Sequence, residues 1–157
     1  MKMVKKMKLD AADRKIVEAL ISDARMSLKD LAAHAGLSSP GVSERIRRLQ
    51  DRGIVRGFSA EIDLKALGYS LQAIVRIRPL PGKLHIVQQL IQDIPEFCEC
   101  DKVTGEDCFV ARLAVPSIED LDGILDKISD KAETSTSIVK SQPIRRRPPP
   151  LVIDCES

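Results

Sequence analysis

The chain has no apolar run approaching the roughly 20 residues needed to cross a bilayer, so no membrane association is expected. It has no tryptophan and only two histidines. Its four cysteines, Cys98, Cys100, Cys108 and Cys155, lie in one half of the chain. They lack the spaced frame that staples small secreted domains. The basic start MKMVKKMKLD has no apolar stretch behind it, so a secretory signal is not expected and a cytoplasmic protein is. What remains is a chain of 157 residues, 43% hydrophobic and 31% charged. That is enough for one large or two small packed domains.

The net charge of +2 hides an asymmetry. Residues 1–70 carry 14 Lys+Arg against 9 Asp+Glu, whereas residues 71–157 carry 11 against 14. A basic front and an acidic back predict two modules, the first suited to a polyanion. The expected division is 1–54, a linker or wing over 55–69, a second domain over 70–144 and a basic, proline-rich tail over 145–157.

The front reads as three short helices. Asp10 is a plausible N-cap, and Ile16, Val17, Leu20 and Ile21 form an apolar stripe at helical spacing. That helix should end near Asp23. Ser27-Leu-Lys-Asp30 is a capping-box pattern opening a second helix with Leu28, Leu31, Ala32 and Ala35 inside. Gly36 can adopt the left-handed conformation that stops it. Ser38 or Ser39 then caps a third helix, with Pro40 tolerated in its first turn. Val42, Ile46 and Leu49 face inward. Ser39, Pro40, Ser43, Glu44 and Arg47 face outward, with Arg45 and Arg48 at the flanks. Two helices joined by a glycine turn make a helix-turn-helix, whose second helix can enter a major groove. Small residues near its start allow close approach to bases, and arginines serve phosphates or guanine edges. A solvated basic face on an ordinary bundle is the alternative, but caps, turn and arginine placement together favour double-stranded DNA. Residues 54–63 read as a strand, either a wing or the start of the linker. Asp63–Gly68 reads as one helical turn.

The back alternates between two periods. A strand pattern over 71–78 precedes a helical pattern from Leu84 to Ile94. Two β-rich runs, 97–103 and 108–115, flank the hairpin Thr104-Gly105-Glu106-Asp107. Ser117-Ile-Glu-Asp120 opens another helix, with Ile118, Leu121, Leu125 and Ile128 inside, and a last strand covers 134–142. The order β-α-β-β-α-β is the ferredoxin-like split, so the fold class is α+β. Both helices cover one face of such a sheet, and pairing with a second copy is the common way to hide the other.

No catalytic set is legible, and no enzyme activity is expected. No nucleophile–base pattern or phosphate loop occurs, and no cofactor is implied. His34 and His85 are isolated. Glu106 and Asp107, adjacent in sequence, should face opposite ways. Cys98-Glu-Cys100 with Cys108 lacks zinc-ribbon spacing, so no metal site is expected. Cys98 and Cys100 are read instead as buried thiols on one face of their strand.

From about residue 9 to about residue 144 the chain resembles the leucine-responsive/asparagine-responsive (Lrp/AsnC, feast/famine) transcription regulators. The likeness rests on LDAADRKIVEAL, on LAAHAGLSSPGVSERIRRLQDRGIV and on VTGEDCFVARLAV. It implies a DNA-binding front and a back domain that dimerises, assembles into tetramers or octamers, and binds a small amino acid between dimers. The resemblance places that effector at the hairpin Thr104, Gly105, Glu106 and Asp107. Asp107 would take the ligand's ammonium, and Thr134 and Thr136 on the last strand would line the pocket. A DNA-organising protein of the same architecture without a ligand is the alternative. The stretch Arg145–Arg147 and Pro148–Pro150 suggests a solubilising tail or a strap, and nothing is read from LVIDCES.

Overall fold

The computed structural model describes residues 9–151. They fall into two compact units: the residues up to Glu61 together with those from Arg146 onward, and Ile62–Arg145.

In the front unit each helix begins where a side chain can replace a missing backbone acceptor. The Asp10 carboxylate accepts from the Asp13 amide at 2.7 Å and starts α1 (Ala11–Ser22). The Ser27 hydroxyl accepts from the Asp30 amide at 3.1 Å and starts α2 (Leu28–Ala35). Asp30 completes this box through the Ser27 hydroxyl, which donates to it at 2.6 Å. Gly36, at φ +70°, ends α2, and the amide of Leu37 turns back onto the Ala32 carbonyl at 2.9 Å. Ser38 caps α3 (Ser39–Asp51), with Pro40 in its first turn. Ile16, Val17, Ala19, Leu31, Ala32, Ala35, Val42 and Leu49 form the core, and Leu37, Ile46 and Leu151 pack at its margin.

Two residues expected inside, Ile21 and Leu28, are exposed. Ile21 lies five positions after Ile16, which turns it about 140° away around the helix. Leu28 is in phase with the core stripe, but it is the first residue of α2. The strand expected over 54–63 is absent from the front unit. An extended segment needs a neighbouring strand to become a ladder, and none among the described residues pairs with it.

The back unit opens with the helical turn 64–68, capped by Asp63 and closed at Gly68 with φ +92°. Then follow β1 (Leu71–Pro79), α4 (Leu84–Asp93), β2 (Phe97–Lys102), β3 (Phe109–Val115), α5 (Ile118–Ser129) and β4 (Ala132–Ile138). The four strands form one antiparallel sheet in the order β2-β3-β1-β4. β4 ends sooner than the expected 142, because its partner β1 begins at Leu71 and Ile138 already pairs with Ala73.

Ala73, Val75 and Ile77 share one face with Phe109, Ala111, Leu113 and Val115, against Val87, Ile91, Leu121, Ile124 and Ile128 of the two helices. Ile118, expected inside, is exposed at the first position of α5. The opposite sheet face carries Ile74, Val110 and Ala114 among Arg76, Arg78 and Arg112. It is therefore amphipathic rather than an apolar sheet face.

Candidate functional site

α3 presents two sets of polar side chains that the sequence treats alike. On the outward side Pro40, Ser43, Glu44 and Arg47 are exposed, and Ser39 is partly so. Ser43 and Arg47 are four residues apart and therefore neighbours on one face. Arg47 Nη2 donates to both oxygens of Glu44 at 3.0 Å. This holds its guanidinium charge still more firmly than usual, first through that hydrogen bond and then through the nearby charges of Glu44 and Asp51. Both side chains remain largely in solvent, 69% and 65% exposed. An exposed pair of this kind is easily exchanged for another anion.

Arg45 and Arg48 are placed differently. Arg45 Nη1 donates to Asp10 Oδ2 at 2.5 Å and to Asp13 Oδ1 at 2.7 Å. Arg48 Nη2 reaches the same Asp13 carboxylate at 3.2 and 3.3 Å. Asp13 is only 3% exposed and is the one buried charged residue among those described. A buried carboxylate must be paired, so these arginines support the domain. Their expected availability for phosphates is qualified by that engagement. No local pattern signals this pairing, because Asp13 and Arg45 lie 32 positions apart. Spacing within one helix cannot show a partner on another.

In the back unit the hairpin between β2 and β3 holds Thr104, Gly105, Glu106 and Asp107. Gly105 sits at φ +117°, a conformation that side chains with a Cβ rarely adopt, and nothing lies within 4 Å of where its Cβ would be. Arg78, on β1, gathers the acids around it. Its Nη2 donates to Glu106 Oε2 at 2.6 Å and lies 3.7 Å from Asp107 Oδ1, while Nη1 is 3.8 Å from Glu133. Glu106 and Asp107, expected to face apart, thus converge on one guanidinium, because they stand on a turn rather than on a strand. Arg78 escaped notice in the sequence as one polar residue of an alternating strand.

Thr134 and Thr136 are exposed on β4, opposite Ile77 and Val75. That register puts them on the helix-side face of the sheet, whereas Glu133 pairs with Arg78 on the other face. One chain alone does not bring the threonines and the hairpin acids to a common face.

The cysteines also differ from expectation. Cys98 and Cys100 are exposed rather than buried, and Cys108 is half-buried. A register shift between Phe97 and Glu99 interrupts the alternation that would put both thiols on one side. Partial desolvation of the Cys100 thiol, followed by the charge of Asp101, raises its pKa and so works against thiolate chemistry. Cys98 instead lines a shallow cleft of about 260 Å³ with Leu64, Tyr69, Pro95, Glu96 and Ala114.

A helix-turn-helix unit joined to a ferredoxin-like unit with an acid-rich glycine hairpin defines a class of DNA-binding regulator with an attached ligand domain. The profile described as winged helix-turn-helix DNA-binding matches residues 9–56, and that of the Lrp/AsnC ligand binding domain matches residues 72–149. The chain is 39% identical over 129 residues to the HTH-type transcriptional regulator LrpA of Mycobacterium tuberculosis, covering 82% of this chain and 86% of that one. It is 32% identical over 136 residues to LrpC of Bacillus subtilis, covering 87% and 94%. The solved structure of Bacillus subtilis LrpC superposes with a TM-score of 0.83 at 31% identity, over 89% of this chain and all of that one. A feast or famine regulatory protein from Mycobacterium tuberculosis in complex with L-methionine gives the same score at 36% identity, over 89% of this chain and 97% of that one. The chain belongs to the Lrp/AsnC family and is a transcriptional regulator with a DNA-binding front and a family ligand-binding domain behind it.

Proposed function

We propose that the chain reads specific duplex sequences through the outward face of α3, assembles into homo-oligomers through its back unit, and senses a small amino acid at the 104–107 hairpin. It would act in the cytoplasm, where it has access to the chromosome. One observation carries the DNA-reading part: Pro40, Ser43, Glu44 and Arg47 are exposed together on a capped 13-residue helix that follows a glycine turn. Such a helix fits a major groove, and displacing Glu44 from Arg47 frees a planar donor fork for a guanine edge. Arg45 and Arg48 stand beside this face, engaged by Asp10 and Asp13.

The effector reading is supported by Arg78 and Asp107. An α-amino acid carries one anionic and one cationic group. Asp107 offers a partner for the ammonium, while Arg78 and the amides beside Gly105 offer partners for the carboxylate. The relative solved with L-methionine makes an amino acid the natural class. Thr134 and Thr136 can join such a pocket only from a neighbouring copy, in keeping with a site between dimers.

One feature favours a second reading, a DNA-organising protein without an effector. Within one chain Arg78 bonds to Glu106 and lies near Asp107, so the hairpin acids have a cationic partner that is part of the fold. Thermal unfolding with each of the twenty amino acids separates the two, because a ligand bound only by the native state raises stability. At least one amino acid should raise the melting temperature, and Asp107→Ala should abolish that rise while leaving the unliganded melt unchanged. If no amino acid shifts the parent protein, the second reading stands.

A further inference from the structure

We propose that Asp10 and Asp13 of α1 are specificity-determining positioning residues of the DNA-binding unit: they hold Arg45 and Arg48 against α1 and so limit sequence-independent attraction to phosphates. The inference rests on the DNA-binding reading above. The three arginines of α3 look equivalent in sequence but are held unequally. Arg47 is paired with Glu44, and both are open to solvent, so handing Arg47 to DNA costs little. Arg45 and Arg48 both bond to Asp13, which is buried. Removing them would strand a carboxylate with no water to replace its partners.

Asp10 adds a second acceptor for Arg45. The hydrogen bond from Arg45 holds its carboxyl below the usual carboxylate range, so the acceptor is charged at neutral pH. Phosphates attract any free guanidinium regardless of sequence. Restraining two of three leaves discrimination to the residue that faces outward.

The test uses the full chain, with fluorescence anisotropy on a random duplex and on a duplex selected from a random pool, between 50 and 200 mM salt. Asp10→Asn removes the charge yet keeps the cap, because asparagine caps helices as well as aspartate does. Asp13→Asn keeps the shape of the buried side chain. Asp13→Asn, which removes the shared acceptor, should bind random DNA more tightly at low salt, with a log–log salt slope steeper by about one phosphate contact, and Asp10→Asn, which leaves Arg45 on Asp13, should act in the same direction to a smaller extent. That added slope alone corresponds to about threefold more loss over this salt range. The ratio of selected to random affinity should fall.

Mere structural damage would weaken both duplexes without steepening the slope. Loss of general acidic repulsion is separated by a double variant. In an Arg45→Ala background, Asp10→Asn should no longer strengthen random binding. Should Asp13→Asn fail to fold, Asp10→Asn decides alone. A folded Asp10→Asn with an unchanged or shallower slope overturns the clamp, as does a gain that survives Arg45→Ala. Absence of duplex binding by the parent at 50 mM salt would overturn the DNA-binding reading itself, and the clamp with it.

Discussion

Arg47 and Gly105 show how one side chain, or its absence, carries a site. Arg47 is the arginine of α3 that faces solvent with an exchangeable partner. Arg47→Ala should therefore cost about 1–3 kcal/mol on a preferred duplex and much less on random DNA. Equal losses on the two duplexes in anisotropy titrations would remove Arg47 from base reading. At Gly105 the argument is conformational. No atom stands within 4 Å of where a Cβ would go, so the Cβ itself meets no obstacle. Its burden is the backbone at φ +117°. Gly105→Val should cost about 1–3 kcal/mol in denaturant unfolding through that strain, even in the absence of any effector. A fully stable variant would show that the hairpin relaxes to another turn.

At the scale of elements, caps and cross-helix ion pairs set the front unit. Asp10 serves both, as N-cap of α1 and partner of Arg45. Its pKa is lowered in the folded state, chiefly by the hydrogen bond from Arg45 and then by that from the Asp13 amide. A depressed carboxylate pKa stabilises the fold above the unfolded-state value and loses that contribution as pH falls through the folded value. The contribution should be complete above about pH 4 and decline below it. Melting curves of the parent and Asp10→Asn should accordingly converge as pH is lowered from 5 towards 3. A gap that stays constant over that interval would mean that folding leaves the Asp10 pKa where it is in the unfolded chain. Ser27 and Ser117 repeat one device, each accepting from the amide three residues on and donating to that residue's carboxylate.

At the scale of the whole molecule, the back unit closes one face of its sheet with two helices and leaves the other amphipathic. Arg112 Nη1 lies on that open side, inaccessible to water and without a bonding partner, which is costly unless something completes it. A second copy, presenting the same acids and arginines, can do so. Residues 62–145, which have their own core, should assemble without the front unit. Because the face mixes Ile74 and Val110 with charged residues, that assembly should weaken as salt rises. A folded, monomeric 62–145 fragment in light scattering would place the assembly surface elsewhere.

The sequence by itself determined the helices, the four strands of the back unit and their order, but not the absence of a strand over 54–63. Periodicities of two and 3.6, serine and aspartate caps, and glycines at Gly36 and Gly68 act within a few residues of one another, so they are readable along the chain. It also located Ser43 and Arg47 on one face and the glycine hairpin between two strands. Only the tertiary structure decided which arginines of α3 are engaged, since Asp13 meets Arg45 and Arg48 across two helices. It likewise decided that Arg78 gathers the hairpin acids, that Ile21, Leu28 and Ile118 face water, and that Cys98 and Cys100 are exposed. Periodicity names the side of a helix or strand, but not how far a neighbour extends along it nor where a bulge resets it. Charge partners depend on packing between elements far apart in the chain, and no local pattern records them.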